Sequence, residues 1–91
     1  MAGGTVAIKF ALLGCGRIGV MHARNLAQAD GARLETVFDP NGAAAEEVAR
    51  AYGCTVATSA EDAIGKADAI LIATSTATHA DLIELAAKAG K

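Results

Sequence analysis

The chain has 91 residues, which is one small domain able to bury roughly 60–65% of its extended surface. Apolar residues make up 53% of it and aromatic residues only 3%, so the core must be built from Ala, Val, Ile and Leu, which suits close helix-on-sheet packing. The net charge is −2 with no basic run, which argues against a nucleic-acid partner, and the longest strongly apolar stretch, Ala69 to Ala73, is far too short to span a bilayer.

In chain order, Val6 to Leu13 is a mostly apolar run with the single charge Lys9, and reads as strand β1. Gly14-Cys15-Gly16-Arg17-Ile18-Gly19 follows at once, and Arg17 to Ala29 carries helical patterning, α1, with Gly31 placed to cap its C-terminus. Leu34 to Phe38 is β2. Asp39-Pro40 has the form of an acidic N-cap followed by proline at the first helical position. The helix it opens, α2, runs to about Tyr52, with Ala45, Val48, Ala49 and Tyr52 on one face and Gly53 ending it. Thr55 to Ala57 is a short β3. Ser59-Ala60-Glu61-Asp62 has capping-box form and starts a short helix, α3, to Ile64. β4 lies within Asp68 to Ala73. Thr76 is placed to cap α4, which runs to Ala89 with an apolar stripe of Leu82, Ile83, Leu85 and Ala86, and Gly90 stops it.

Strands and helices therefore alternate. Strands that are apolar throughout, rather than alternating, argue for a parallel sheet covered on both faces. Right-handed crossovers then give an α/β fold, a doubly wound sheet of the Rossmann type with the order 3-2-1-4. The chain stops one residue past the cap of α4, where a fifth strand is expected, so residues 1–91 read as part of a larger domain of this fold. β4 is then an edge strand with no proline, bulge glycine or inward charge to protect it. A homo-dimer, or a higher oligomer formed through that edge, is the expectation.

The glycines form a G-x-G-x-x-G run between a strand and a helix, and Asp39 stands twenty residues after Gly19 at the end of β2. Each part has its own job in holding a dinucleotide. Gly14 permits a tight turn, Gly16 lets the backbone approach a pyrophosphate, and Gly19 lets the helix pack closely on the strand. The backbone N–H groups of Arg17 and Ile18, at a positive helix end, face that anion. Asp39 accepts hydrogen bonds from a ribose diol, a role compatible with capping α2. No Arg or Lys follows it directly, so a 2′-phosphate would meet a like charge, which favours NAD over NADP.

Thr74, Ser75 and Thr76 close β4 beside the topological switch point, where such sheets bind ligands, and ordinary capping of α4 is the competing role. His79 falls in the first turn of α4, either near the cofactor or as a structural residue; His22 on α1 reads as packing. Cys15 sits in the turn, where a helix N-terminus favours a thiolate but steric fit is the plainer reason for it. Cys15 and Cys54 are the only cysteines and have no metal-ligand spacing, which fits a reduced, cytoplasmic setting and no metal site.

With these motifs placed, the chain resembles the Gfo/Idh/MocA oxidoreductases, and among them the inositol-type subgroup. The resemblance rests on Gly14 to Gly19 with His22 and Asn25-Leu26 behind it, on Val37-Phe38-Asp39-Pro40, on Ser59 to Asp62, and on Ala69 to His79 leading into Leu85 to Lys91. Thr74-Ser75-Thr76 departs from the Thr-Pro-Asn that many members carry, in the manner of the serine/threonine-rich inositol-type version. The resemblance implies a parent dehydrogenase that uses NAD to oxidise a polyol or sugar hydroxyl to a ketone. It also implies that the catalytic lysine of a Glu-Lys-Pro motif, and a second, substrate-binding domain, come after residue 91. No catalytic residue is therefore assigned here, and the 91 residues alone are expected to be inactive. A stand-alone nucleotide-binding or regulatory module, and a self-associating scaffold without catalysis, are the alternative readings.

Overall fold

A computed structural model describes residues 7–74 and 76–91, and of residues 76–80 the backbone alone. The element order is β1 (Ile8–Leu13), α1 (Arg17–Gln28), β2 (Ala32–Phe38), α2 (Gly42–Tyr52), β3 (Thr55–Val56), α3 (Ala60–Gly65), β4 (Ala69–Ile72) and α4 (Thr76–Lys88). The strands form one parallel sheet in the order β3-β2-β1-β4, as expected from the patterning.

Alternate residues of β1 feed two separate apolar layers, which is why the strand is apolar throughout. Leu12 joins Cys15, Ala23, Leu34, Val37, Ala45, Val48 and Ala49 in the layer under α1 and α2. Ala11 and Leu13 join Ala57, Ala63, Ile64, Ala67 and Ala86 in the layer under α3 and α4. So many alanines let the helix axes come close to the sheet. The β1–β2 register shifts between Phe10 and Ala11, whose partners are Leu34 and Thr36, so Glu35 is an extra residue. The bulge inverts the strand's parity and puts Leu34 and Val37 on one face. Thr36, fully buried, satisfies its hydroxyl by donating to the Thr55 carbonyl at 3.1 Å.

The helix ends differ from the sequence expectation in instructive ways. Asn41, not Asp39, caps α2: its side-chain oxygen accepts from the Ala43 and Ala44 N–H groups at 3.1 and 3.4 Å, and the helix begins at Gly42 rather than Pro40. α1 ends at an extended Ala29, and Gly31 spends its positive φ of 78° on the turn into β2, so it is not the cap. Ser59 caps α3 through the Asp62 N–H at 3.0 Å, but the return arm reaches one residue further back, since Asp62 accepts from Thr58. The Thr58 N–H first, and Lys66 after it, hold the Asp62 carboxyl below its usual range. Gly53 and Gly90 end α2 and α4 as expected, both with positive φ. At Gly90 the Lys91 N–H donates to the Ala86 carbonyl and the Gly90 N–H to that of Ala87, a Schellman closure. The expected stripe of α4 loses one member, because Ile83 is 50% exposed.

Candidate functional site

Parallel strands bring their C-terminal ends to one edge, and the register decides which residues meet there. Leu13 lies beside Phe38 on one side and Ile72 on the other. The turns that follow these three residues, at Gly14, Asp39 and Ala73–Thr74, therefore sit side by side.

The three glycines are required for three different reasons. Gly14 has φ 107°, a region that side chains rarely adopt, and a Cβ on it would lie 2.6 Å from the Ala73 carbonyl oxygen. Gly19, buried in the first turn of α1, touches Gly14 itself: a Cβ there would lie 1.9 Å from the Gly14 oxygen. Gly16 is unlike both, with an ordinary extended φ of −78° and nothing within 4 Å of the position a Cβ would take. Neither backbone strain nor internal packing explains a glycine there. The space a side chain would take is open, as it also is at Gly42 and Gly65; what sets Gly16 apart is its place at an uncapped helix end.

Gly16 is also the N-cap of α1, and without a side chain it offers no cap hydrogen bond. α2 and α3 are capped by Asn41 and Ser59, whereas the first turn of α1 has neither a cap nor an acidic residue. The first helical hydrogen bond is from the Val20 N–H to the Gly16 carbonyl, so the N–H groups before Val20 lie outside the helical ladder. Arg17 is exposed and Ile18 is 53% exposed, so this helix end faces solvent.

The Gly14 N–H is taken by the Phe38 carbonyl at 2.8 Å and the Cys15 N–H by Asp39 Oδ2 at 2.7 Å. Asp39 Oδ1 accepts the Asn41 N–H at 2.8 Å. Asp39 is thus half-buried at the end of β2, beside the turn, where the sequence placed it. Thr74 lies across the sheet end, its Oγ1 buried and without a hydrogen-bond partner among the described residues. A recess of about 140 Å³ runs from it along Leu13, Phe38, Pro40, Ala60 and Leu82. Larger recesses, of about 280 Å³ between α3 and α4 and about 240 Å³ between α1, β2 and α2, are not next to the glycine turn. Ser75 lies outside the described residues. Thr76 is the first residue of α4 and His79 belongs to its first turn, but their side chains lie outside the description.

Cys15 does not behave as an activated thiol. Burial pushes it up to about 12, with the Asp39 carboxylate and Cys54 acting in the same direction, so the helix end does not produce a thiolate. Its side chain packs in the apolar layer under α1. Two features escaped the sequence reading: Asn41 as cap of α2, and the bond from Asp39 into the turn. The first was readable, since Asn is a preferred N-cap and Asn41 stands directly before the run Gly42-Ala43-Ala44-Ala45 that opens the helix. The second joins residues 24 apart in sequence, and no local signal announces it.

This arrangement can hold an anion at the α1 end and a hydroxyl-bearing group at Asp39, with an apolar ring sheltered in the recess. The donors, the open cradle and the acceptor all fit a dinucleotide. No helix among the described residues is long and apolar enough to cross a membrane, and no cluster of three or more His, Cys, Asp or Glu forms among them.

Known proteins share the sequence and the fold of this chain. The inositol 2-dehydrogenase of Rhizobium meliloti (strain 1021) is 52% identical over 85 residues, which is 92% of this chain and 26% of that protein. The scyllo-inositol 2-dehydrogenase (NAD(+)) of Bacillus subtilis (strain 168) is 41% identical over 90 residues, again 92% of this chain and 26% of the relative. The crystal structure of scyllo-inositol dehydrogenase from Lactobacillus casei with bound NAD(H) and scyllo-inositol superposes with a TM-score of 0.87 at 29% identity, covering 93% of this chain and 26% of the other. The chain thus spans about a quarter of the length of these relatives. Residues 8–91 match the Gfo/Idh/MocA oxidoreductase family over its NAD-binding Rossmann fold, and the chain belongs to that family.

Proposed function

We propose that the chain binds NAD across the C-terminal ends of β1, β2 and β4, as the cofactor-binding portion of a dehydrogenase that oxidises a polyol or sugar hydroxyl to a ketone. The observation that carries this reading is the uncapped end of α1, where Gly16 leaves the approach open and Asp39 stands beside the turn at the end of β2. In this reading the N–H groups of Gly16, Arg17 and Ile18 hold the diphosphate, and Gly14 and Gly19 shape the turn that presents them. Asp39 accepts from the ribose diol. Thr74 lies on the side toward the nicotinamide, and Ser75, Thr76 and His79 are assigned to that side by the sequence alone. Bound NAD supplies the hydride acceptor, while this chain's residues bind and orient it. The relatives' inositol substrates support the polyol class. Two free cysteines support a reduced, cytoplasmic setting.

Calorimetric titration with NAD and NADP tests the reading. NAD is expected to bind in the millimolar range, about 4 kcal/mol, and more tightly than NADP. Tighter NADP binding would refute the assignment of Asp39 to the ribose. Incubation with NAD and myo-inositol is expected to produce no NADH above background, because general acid–base catalysis needs a group positioned at the reacting hydroxyl and none is assigned here. ATP binding as tight as that of NAD would favour the alternative of a stand-alone nucleotide module.

Self-association belongs to the same proposal for the chain on its own. β4 pairs only with β1 among the described strands. Ala27 on α1 lines a recess with Tyr52 and Gly53 of the α2 end, so Ile18, nine residues away and half a turn round, faces the β4 side. Leu85 on α4 lines the groove with α3, so Ile83 faces the β4 side from the other layer. A second copy pairing at β4 would cover the free strand edge and these two exposed isoleucines together.

A further inference from the structure

Asp39 is committed on both carboxylate oxygens before any ligand arrives. Oδ2 accepts the Cys15 N–H at 2.7 Å and Oδ1 the Asn41 N–H at 2.8 Å. Cys15 lies between Gly14 and Gly16, neither of which has a side chain to anchor the turn. The only other tie from this stretch to β2 among the described backbone bonds is the Gly14 N–H on the Phe38 carbonyl, at 2.8 Å. These bonds use the N–H groups of Gly14 and Cys15 inside the fold and leave those of Gly16, Arg17 and Ile18 at the open helix end. A carboxylate has about four acceptor positions, so two remain for a ribose diol.

We propose that Asp39 is a positioning residue for the diphosphate as well as an acceptor for the ribose. By holding the Cys15 N–H from β2, it sets the direction in which the Gly16, Arg17 and Ile18 N–H groups point. The proposal rests on the dinucleotide reading above. It makes a prediction opposite to simple electrostatics. Removing a negative charge beside an anion site strengthens anion binding, whereas removing a brace from the turn weakens it.

The test uses the 91-residue chain with inorganic pyrophosphate, which has no ribose, and with NAD. Hydrogen exchange at the Cys15 amide is followed by NMR without ligand, and pyrophosphate is titrated while the amides of Gly16, Arg17 and Ile18 are observed. The variants are Asp39→Ala, which has no acceptor; Asp39→Asn, an isostere with one acceptor oxygen in place of two; and Asn41→Ala, which removes the α2 cap and leaves the turn untouched. Asp39→Ala is expected to lose protection at Cys15 and to bind pyrophosphate severalfold more weakly, and Asp39→Asn, whose one acceptor oxygen can still take the Cys15 N–H, is expected to weaken pyrophosphate binding only as far as it loses that protection. Asn41→Ala is expected to lower stability while leaving both readouts at the parent values, so a general loss of stability is told apart from a lost brace. Pyrophosphate bound as tightly as by the parent, or more tightly, in Asp39→Ala would overturn the proposal, as would unchanged exchange at Cys15. Weakened NAD binding with unchanged pyrophosphate binding would confine Asp39 to the ribose, overturning the proposal and sparing the dinucleotide reading. A parent chain that bound neither ligand would refute that reading, and the proposal with it.

Discussion

Gly16 and Gly19 lie three residues apart, and a methyl group at each meets opposite surroundings. At Gly19 the added Cβ would sit 1.9 Å from the Gly14 carbonyl oxygen, where contacts below 3.0 Å essentially never occur. The start of α1 would have to lift off β1 by about 1 Å, against backbone rather than a side chain that can swing away. Overpacking of this kind costs about 1–3 kcal/mol, and contact with backbone puts this case at the upper end. Alanine's better helix propensity returns at most about 1 kcal/mol. The net loss is about 2 kcal/mol, which for a domain of this size lowers Tm by roughly 8–16 °C. At Gly16 nothing lies within 4 Å and φ is −78°, so alanine fits without strain. A poorer N-cap costs about 0.5–1 kcal/mol, and the stiffer unfolded chain returns about 0.4–1 kcal/mol, so Tm should barely move. The same methyl stands where the diphosphate is proposed to approach, and a loss of NAD affinity of at least about tenfold, or 1.4 kcal/mol, is expected. Differential scanning calorimetry of both variants, with NAD titration of Gly16→Ala, checks the pair. A Gly16→Ala chain that melts as low as Gly19→Ala, or binds NAD as the parent does, would refute the reasoning.

Asp39→Ala should abolish the preference for NAD over NADP and cost about 1–2 kcal/mol, because the Cys15 and Asn41 N–H groups lose a charged acceptor; paired titrations and urea unfolding measure both. The Cys15 thiol titrates near 9.0 in the unfolded chain and near 12 in the fold, so the stability from burying it neutral is full below pH 9 and is lost as pH rises toward 12. Cys54 is shifted in the same direction, so unfolding midpoints should fall between pH 8 and 10.5, and less steeply in Cys15→Ala. Native thiol labelling of Cys15 at pH 8 should be slow, and fast modification of it would contradict the buried, protonated form. Light scattering across a concentration range should report more than one chain per particle; Ile72→Lys, at β4, and Ile83→Glu, at a position 50% exposed, should shift the mass toward one chain. A mass near one chain that held at high concentration would end the case for self-association.

Hydrophobic patterning by itself determined the element order and the parallel sheet, and the 3-2-1-4 arrangement came with the Rossmann reading of the glycine turn. Strands apolar on both faces need cover on both sides, and crossover handedness leaves few other ways to supply it. The glycine turn and Asp39 were legible for a related reason: their spacing is set by chain geometry within one strand–helix–strand unit. What the tertiary structure alone decided lies in contacts between residues far apart in the chain. Gly14 is pressed against Ala73, 59 residues on, and only that contact with the end of β4 shows how tightly the turn is seated. Asp39 stands at the strand end where its spacing put it, but it does not cap the helix that follows. Its carboxylate turns back to Cys15, and the cap of α2 passes to Asn41. Cys15 carries the same lesson in its chemistry. A helix N-terminus read along the chain favours a thiolate, but the side chain packs into the apolar layer beneath α1, where burial first and the Asp39 carboxylate after it favour the neutral thiol. Periodicity records which face a residue turns to the core, and spacing records what its neighbours can do. Only the folded chain shows what stands opposite.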